Sequence, residues 1–226
     1  MKKIFTFVAV LTACVLCGSD FAALSKDGAA ANRKKDFASA LNKYEAALKV
    51  SADSRQRAEA LVGKYLALRG LKRTQEGETM LLNAVENDQM LKPLQLRQIL
   101  NTLAGYNLWN GRHDFAISLL KQAHNLEAPR AGNDYFRTCY YLATLYVNRK
   151  KQPQMALEVI TPIAGIKGMH PANSFNAFML IGEVHEKAGR KAEALKAYKL
   201  ALGHGSRIQY KYDLTPAKKA IERLSR

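Results

Sequence analysis

The 226-residue chain is poor in several things that would have simplified its reading. It has one tryptophan, Trp109, and three cysteines, two of which, Cys14 and Cys17, stand near the start. If the opening segment is removed, Cys139 is left alone, with no partner for an internal disulfide and no spacing for a metal site. A small buried apolar role fits it best. After residue 17 no run is apolar enough to cross a bilayer as a helix, which takes roughly 20 residues. Acidic residues are scarce beside basic ones, 19 against 35, giving a formal net charge of +16. No stretch alternates apolar and polar residues like a strand system.

What is present begins with MKKIFTFVAVLTACVLCGSDFAA. A basic start, an apolar run from Ile4 to Cys17 and a small-residue stretch from Gly18 to Ala23 have the layout of a secretory signal. Residues 1–23 are therefore expected to be a leader and residues 24–226 one helical domain, exported to a bacterial periplasm or envelope. Leu11-Thr12-Ala13-Cys14 looks like the lipobox of bacterial lipoproteins, in which the cysteine is acylated. Ordinary cleavage near Ser19 or Ala23 is the alternative, since the apolar run continues past Cys14.

The rest of the chain is dominated by one recurring helical face. Ala194, Leu195, Tyr198, Ala201 and Leu202 fall on one side of a helix. The same grammar recurs at Ala40, Leu41, Tyr44, Ala47 and Leu48, at Ala116, Ile117, Leu120, Ala123 and His124, and at Ala156, Leu157, Ile160, Ile163 and Ala164. The leading alanines stand 76, 40 and 38 residues apart, so a further copy is expected near residue 80, where Leu81, Leu82 and Val85 keep part of the face. Upstream of each copy lies a second helical stretch, ending near Gly70, Gly111, Arg149 and Gly189. In these stretches small residues such as Ala104, Ala143 and Gly182 follow large ones.

With that pattern, IGEVHEKAGRKAEALKAYKLAL above all, the chain resembles the tetratricopeptide repeat family. The resemblance implies an all-α fold: a right-handed superhelix of about five helix pairs, with a capping helix at about 215–226. The units are longer than the family's usual 34 residues or so, and Pro162 is expected to end or kink its helix early. Asp53-Ser54, Asn133-Asp134 and Asn173-Ser174 are N-cap candidates, and Pro93 suits a first helical position.

Two surfaces follow. First helices line a concave groove in the resembled family, and here they would present Gln98, Asn101, Trp109, Arg137, Tyr140, Tyr141, Thr144, Asn148, Asn176 and Glu183. Aromatic, amide and arginine side chains of that kind suit a protein or peptide partner; the competing account is that Trp109 and the tyrosines pack between units. The second surface is a ridge of cations in the intra-pair turns: Arg33, Lys34, Lys35, Arg69, Lys72, Arg73, Arg112, Arg149, Lys150, Lys151, Arg190 and Lys191. Such a ridge suits an anionic envelope lipid or polymer, although cations at helix C-termini also offset the macrodipole. No aromatics interleave with these cations, which argues against nucleic acid.

Catalytic and cofactor motifs are missing. His185-Glu186 starts like a zinc-protease signature, but Gly189 stands where the second histidine belongs. No serine or cysteine nucleophile accompanies His113-Asp114, and no phosphate loop accompanies the glycines around Gly165 or Gly203. The expectation is a non-enzyme without metal or cofactor.

Overall fold

The computed structural model describes residues 20–226 apart from 128 and 131. Cys14 and most of the expected leader lie outside the described residues. Among those described there is no strand, and the chain is a succession of helices. They are α1 (20–33), α2 (Phe37–Val50), α3 (Ser54–Gly70), α4 (Thr74–Asn87), α5 (Pro93–Trp109), α6 (His113–Asn125), α7 (Gly132–Leu145), α8 (Pro153–Ala164), α9 (Pro171–Lys187), α10 (Lys191–Gly205) and α11 (Thr215–Ser225). They read as five helix-turn-helix pairs and a final helix. The chain divides into two compact units, one up to Leu103 and one from Ala104, the division passing through α5.

In the first unit α2 packs on α3 and α3 on α4. The reason is shape. Gly63 faces the Tyr44 ring so closely that a Cβ there would come within 2.2 Å of it, and a Cβ on Gly77 would meet Tyr65 at 2.8 Å. Large rings thus seat on missing side chains, and helices approach closely enough to exclude water. Phe21, Ala40, Leu41, Tyr44, Ala47, Ala60, Ala67 and Leu68 form the core. Phe21 belongs to the stretch expected to be leader, yet it is buried at the start of α1. Asp53 caps α3, its carboxylate accepting from the Gln56 N–H at 2.8 Å.

The repeat expected near residue 80 begins three residues earlier, at Gly77. Gly77 occupies the place held by Ala40, Ala116, Ala156 and Ala194, all four fully buried. Buried Glu78 stands where the other copies carry Leu or Ile, and Leu81 where the first carries Tyr44. The polar residue and the glycine hid this copy; Leu82 is off the buried face.

In the second unit α6 through α11 each pack on the next helix in sequence. A Cβ on Gly182 would lie 2.6 Å from the Tyr198 ring, repeating the ring-on-glycine fit. Ala217 and Ala220 of α11 are buried against the face carrying Ala194, Tyr198 and Ala201. This covering helix is what an end of a repeat array requires. Arg223 ties it down through its guanidinium to the Glu186 carboxylate, which also accepts from the Tyr198 hydroxyl at 2.9 Å. Pro162 lies within α8, which ends two residues later at Ala164; the proline has no N–H for the Glu158 carbonyl, and the helix stops soon after it. One expectation needs correction. Asn133-Asp134 and Asn173-Ser174 are not caps but sit inside the first turns of α7 and α9; His170 caps α9 instead.

The turns within pairs share one backbone device. Lys35, Lys72, Gly111, Lys151 and Gly189 all have positive φ, between 54° and 74°. These positions recur at the period of the buried small residues. In the fourth pair a π-helical turn, Tyr146–Lys150, accommodates added length before Lys151.

Candidate functional site

The polar side chains of the second unit converge between α7 and α9. Both helices put residues three and four apart on one face, so Asn133, Phe136, Arg137, Tyr140 and Tyr141 of α7 meet Asn173 and Asn176 of α9 around a cavity of about 410 Å³. Asp134 and His170 complete the lining. The carboxamides are linked: Asn173 Nδ2 donates to Asn133 Oδ1 at 2.9 Å. Asn176 Oδ1 accepts from the Tyr212 hydroxyl at 3.0 Å. That accounting leaves the Asn176 and Asn133 N–H groups and the Asn173 carbonyl available to a ligand.

Arg137 reaches Asp134 through Nη2 at 3.0 Å, while its Nε is buried and has no hydrogen-bond partner among the described residues. A buried donor without an acceptor is costly, and an incoming carbonyl or carboxylate reaches it only when the Arg137 side chain shifts to expose it. The rings are layered. Phe136 stacks on Tyr140 with centroids 5.4 Å apart, and Tyr140 tilts against Tyr141 at 6.3 Å. From the far side, the segment joining α10 to α11 brings Tyr210 onto His170 at 6.2 Å and Tyr212 edge-on to Phe175 at 5.3 Å. His170 Nδ1 accepts from the Ala172 N–H at 3.2 Å, leaving Nε2 as the ring's donor.

Electrostatics along this face follow from crowding. Burial, and then the neighbouring Glu183 carboxylate, push the Tyr140 hydroxyl above its usual range. Glu183 is itself raised, by desolvation first, although the residue as a whole is exposed. The face thus runs from a cation with an unmet donor, Arg137, to a carboxylate, Glu183, with aromatic and amide groups between.

Of the expected groove residues, Arg137, Tyr140, Tyr141 and Asn176 come together here, and Glu183 follows on the same helix as Asn176. Thr144 does not contribute its hydroxyl, which donates to its own helix at the Tyr140 carbonyl, 2.7 Å away. Asn148 is exposed on the π-helical turn, its carbonyl accepting from Lys151 Nζ at 3.0 Å. Trp109 ends α5 almost fully exposed and is not among the cavity residues. In the first unit Gln98 is exposed, whereas Asn101 is corrected: it is 2% exposed and holds an internal partner. Arg97, one turn earlier, is completely buried too. Polar residues there face inward, against the assumption that amides on a first helix point to solvent.

Sequence reasoning missed Asn133, Phe136, His170, Asn173, Tyr210 and Tyr212. The two asparagines did carry a signal, read as capping. The tyrosines of the α10–α11 segment carried none, because their contribution depends on how a loop folds back.

No protein-family model matches the chain, and no curated protein matches it. Among solved structures it is similar to the TPR domain of P58(IPK), at 16% identity and a TM-score of 0.43, covering 89% of this chain and 54% of that one. The chain spans about half the length of that neighbour. The fold rests on its own helix pairs.

The turn cations are distributed over both units. Arg33, Lys34, Lys35, Lys72 and Arg73 are exposed in the first and Arg69 is half-buried there; Arg112, Arg149, Lys150, Lys151 and Lys191 are exposed in the second, with Arg190 half-buried. Several are engaged locally. Arg73 forks onto Glu76 at 2.7 and 2.8 Å, and Lys150 pairs with Asp114 at 2.7 Å, holding that carboxyl below its usual range. Arg69 lies over the Tyr65 ring, 5.7 Å from its centroid.

Proposed function

We propose that this protein is a non-enzymatic, exported scaffold that holds an extended segment of a partner protein along the face shared by α7 and α9. The observation that carries this reading is the row of carboxamides Asn133, Asn173 and Asn176 around one cavity, the first two joined by a hydrogen bond, with Arg137 beside them. Carboxamides pair with both the N–H and the C=O of a backbone, so they suit an extended chain of varied sequence. The layered rings of Phe136, Tyr140 and Tyr141 would take up apolar side chains at small entropic cost. Helix-pair arrays of this kind commonly offer extended surfaces to proteins.

A photo-crosslinking residue at Tyr141, in the full chain expressed in its source cells, tests this. The expected result is crosslinks to extended segments of a small set of proteins, lost when Arg137→Glu and Asn176→Ala are combined. The same residue at Lys199 should capture none of them. Equal capture from both positions, or capture that survives the double variant, contradicts the proposal.

Export rests on the N-terminal layout alone. Fractionation should place the chain outside the cytoplasm, and mass spectrometry should find a mature N-terminus that retains Phe21, because that side chain is part of the first core. An acyl group on Cys14 would mark an anchored form.

A further inference from the structure

The second unit carries an exposed edge that the α7–α9 face does not use. Trp109, the chain's one tryptophan, ends α5 with 88% of its surface in water. An indole buries a large apolar area when it is covered, so leaving it bare forfeits that stabilisation. Phe115 in the first turn of α6 is 37% exposed, and Met155 in the first turn of α8 is 40% exposed. The turns before α6 and α8 lie side by side, because Lys150 Nζ from the second pairs with the Asp114 carboxylate at the start of α6, 2.7 Å away.

Charge of one sign gathers on the same edge. Residues 109–115 and 146–153 contain Arg112, Arg149, Lys150 and Lys151, all exposed, and one acid, Asp114. Lys150 answers that acid. Arg149 makes no ion pair among the described residues. Lys151 donates to the Asn148 carbonyl at 3.0 Å, a neutral acceptor that leaves its charge unbalanced. With most of its ring in water, Trp109 projects from the surface instead of lining a recess.

We propose that this edge docks on a bilayer containing anionic phospholipid, the Trp109 indole entering at headgroup level and Arg149 and Lys151 meeting the phosphates. An indole is apolar in its body and polar at its N–H, which is why tryptophan collects where a bilayer meets water. Anionic headgroups attract each cation near the surface and so hold the indole there. Elements that lie on membranes combine Trp or Phe with Lys and Arg in this way. An acidic protein fits less well, since the centre of a protein interface is depleted in lysine and built on joined apolar groups. None of these residues lines the α7–α9 cavity, so partner holding and membrane docking can fail independently.

The test uses the full chain, in which Trp109 is the only indole and reports its own surroundings. Vesicles of phosphatidylglycerol and phosphatidylcholine in equal parts are added at about 0.1 M salt. The expected result is emission moving to shorter wavelength, with quenching by phospholipids brominated near the headgroup end of their chains. Vesicles of phosphatidylcholine alone should need at least about tenfold more lipid, as two unbalanced cations imply. Arg149→Glu with Lys151→Glu should remove the response while native helicity is retained. A reporter moved to the far end of α8, Lys167→Trp in a Trp109→Phe background, should neither shift nor be quenched. Silence of Trp109 with the anionic vesicles overturns the proposal, as does a response that survives the two charge reversals or an equal one from the moved reporter. A shift produced by polyglutamate without lipid would also overturn it, by assigning the edge to an acidic protein.

Discussion

The two units solve one packing problem with the same parts and then invest their polar groups in different places. In the first, lysine fills both left-handed turn positions, Lys35 and Lys72, and unpaired cations gather at the turns. In the second, glycine fills two of three, Gly111 and Gly189, and the concentration of aromatic and amide groups lies on a helix face. The third, Lys151, is excused by a local role, its ammonium donating to the Asn148 carbonyl at the end of the π-helical turn. The difference shows that the helix-pair frame constrains only its buried faces. Turns and first-helix surfaces are free to carry chemistry.

The largest effect expected concerns the shared frame. Gly63→Ala forces a methyl into the Tyr44 ring and should destabilise the first unit by about 1–3 kcal/mol, despite a helix-propensity gain of about 1 kcal/mol. The same change at Gly203, where nothing lies within 4 Å, should stabilise by up to about 1 kcal/mol. Urea denaturation of the two variants checks the contrast.

Next comes pH, which should separate the units. All five histidines lie beyond residue 103. His185 is held below its usual value by burial and then by Arg190, and His204 by burial and then by Arg207. A histidine lowered in the fold contributes stability that is complete above its unfolded value of about 6.5 and is lost as pH falls toward the folded value. Hydrogen exchange should therefore show α9 and α10 opening more readily as pH falls below about 6.5, with α2 and α3 unaffected. Equal loosening in both units would break the comparison. At lower pH the Glu186 carboxylate, depressed mainly by its bond from Arg223, should release α11 as it protonates.

The smallest effect belongs to the turns. Lys35→Gly and Lys72→Gly each remove a left-handed side chain, worth up to about 1 kcal/mol, and also a helix-end cation worth ~0.3–1 kcal/mol. A net gain of a few tenths of a kcal/mol in thermal unfolding is expected.

How much of this was legible in the sequence follows from what each feature depends on. The alanine-led faces at Ala40, Ala116, Ala156 and Ala194 were readable because helical periodicity is local and burial demands small residues. Gly77 and Glu78 were not, since a glycine and a carboxylate look like surface until a neighbouring ring is known to cover them. Arg137, Tyr140, Tyr141 and Asn176 were named from one helix face each. Asn101 misled because a polar residue on a first helix can turn inward when buried partners await it. Tyr210 and Tyr212 lie on a loop whose path no pattern announces.

The account depends most on the equivalence of the five small-residue seats. Its most direct measurement is urea denaturation of four single variants, Ala40→Leu, Ala116→Leu, Ala156→Leu and Ala194→Leu, beside exposed Ala38→Leu. Repeating helix pairs predict losses of about 1–3 kcal/mol at all four buried seats and almost none at Ala38. Tolerance of leucine at any of the four, at the level of Ala38, would contradict it.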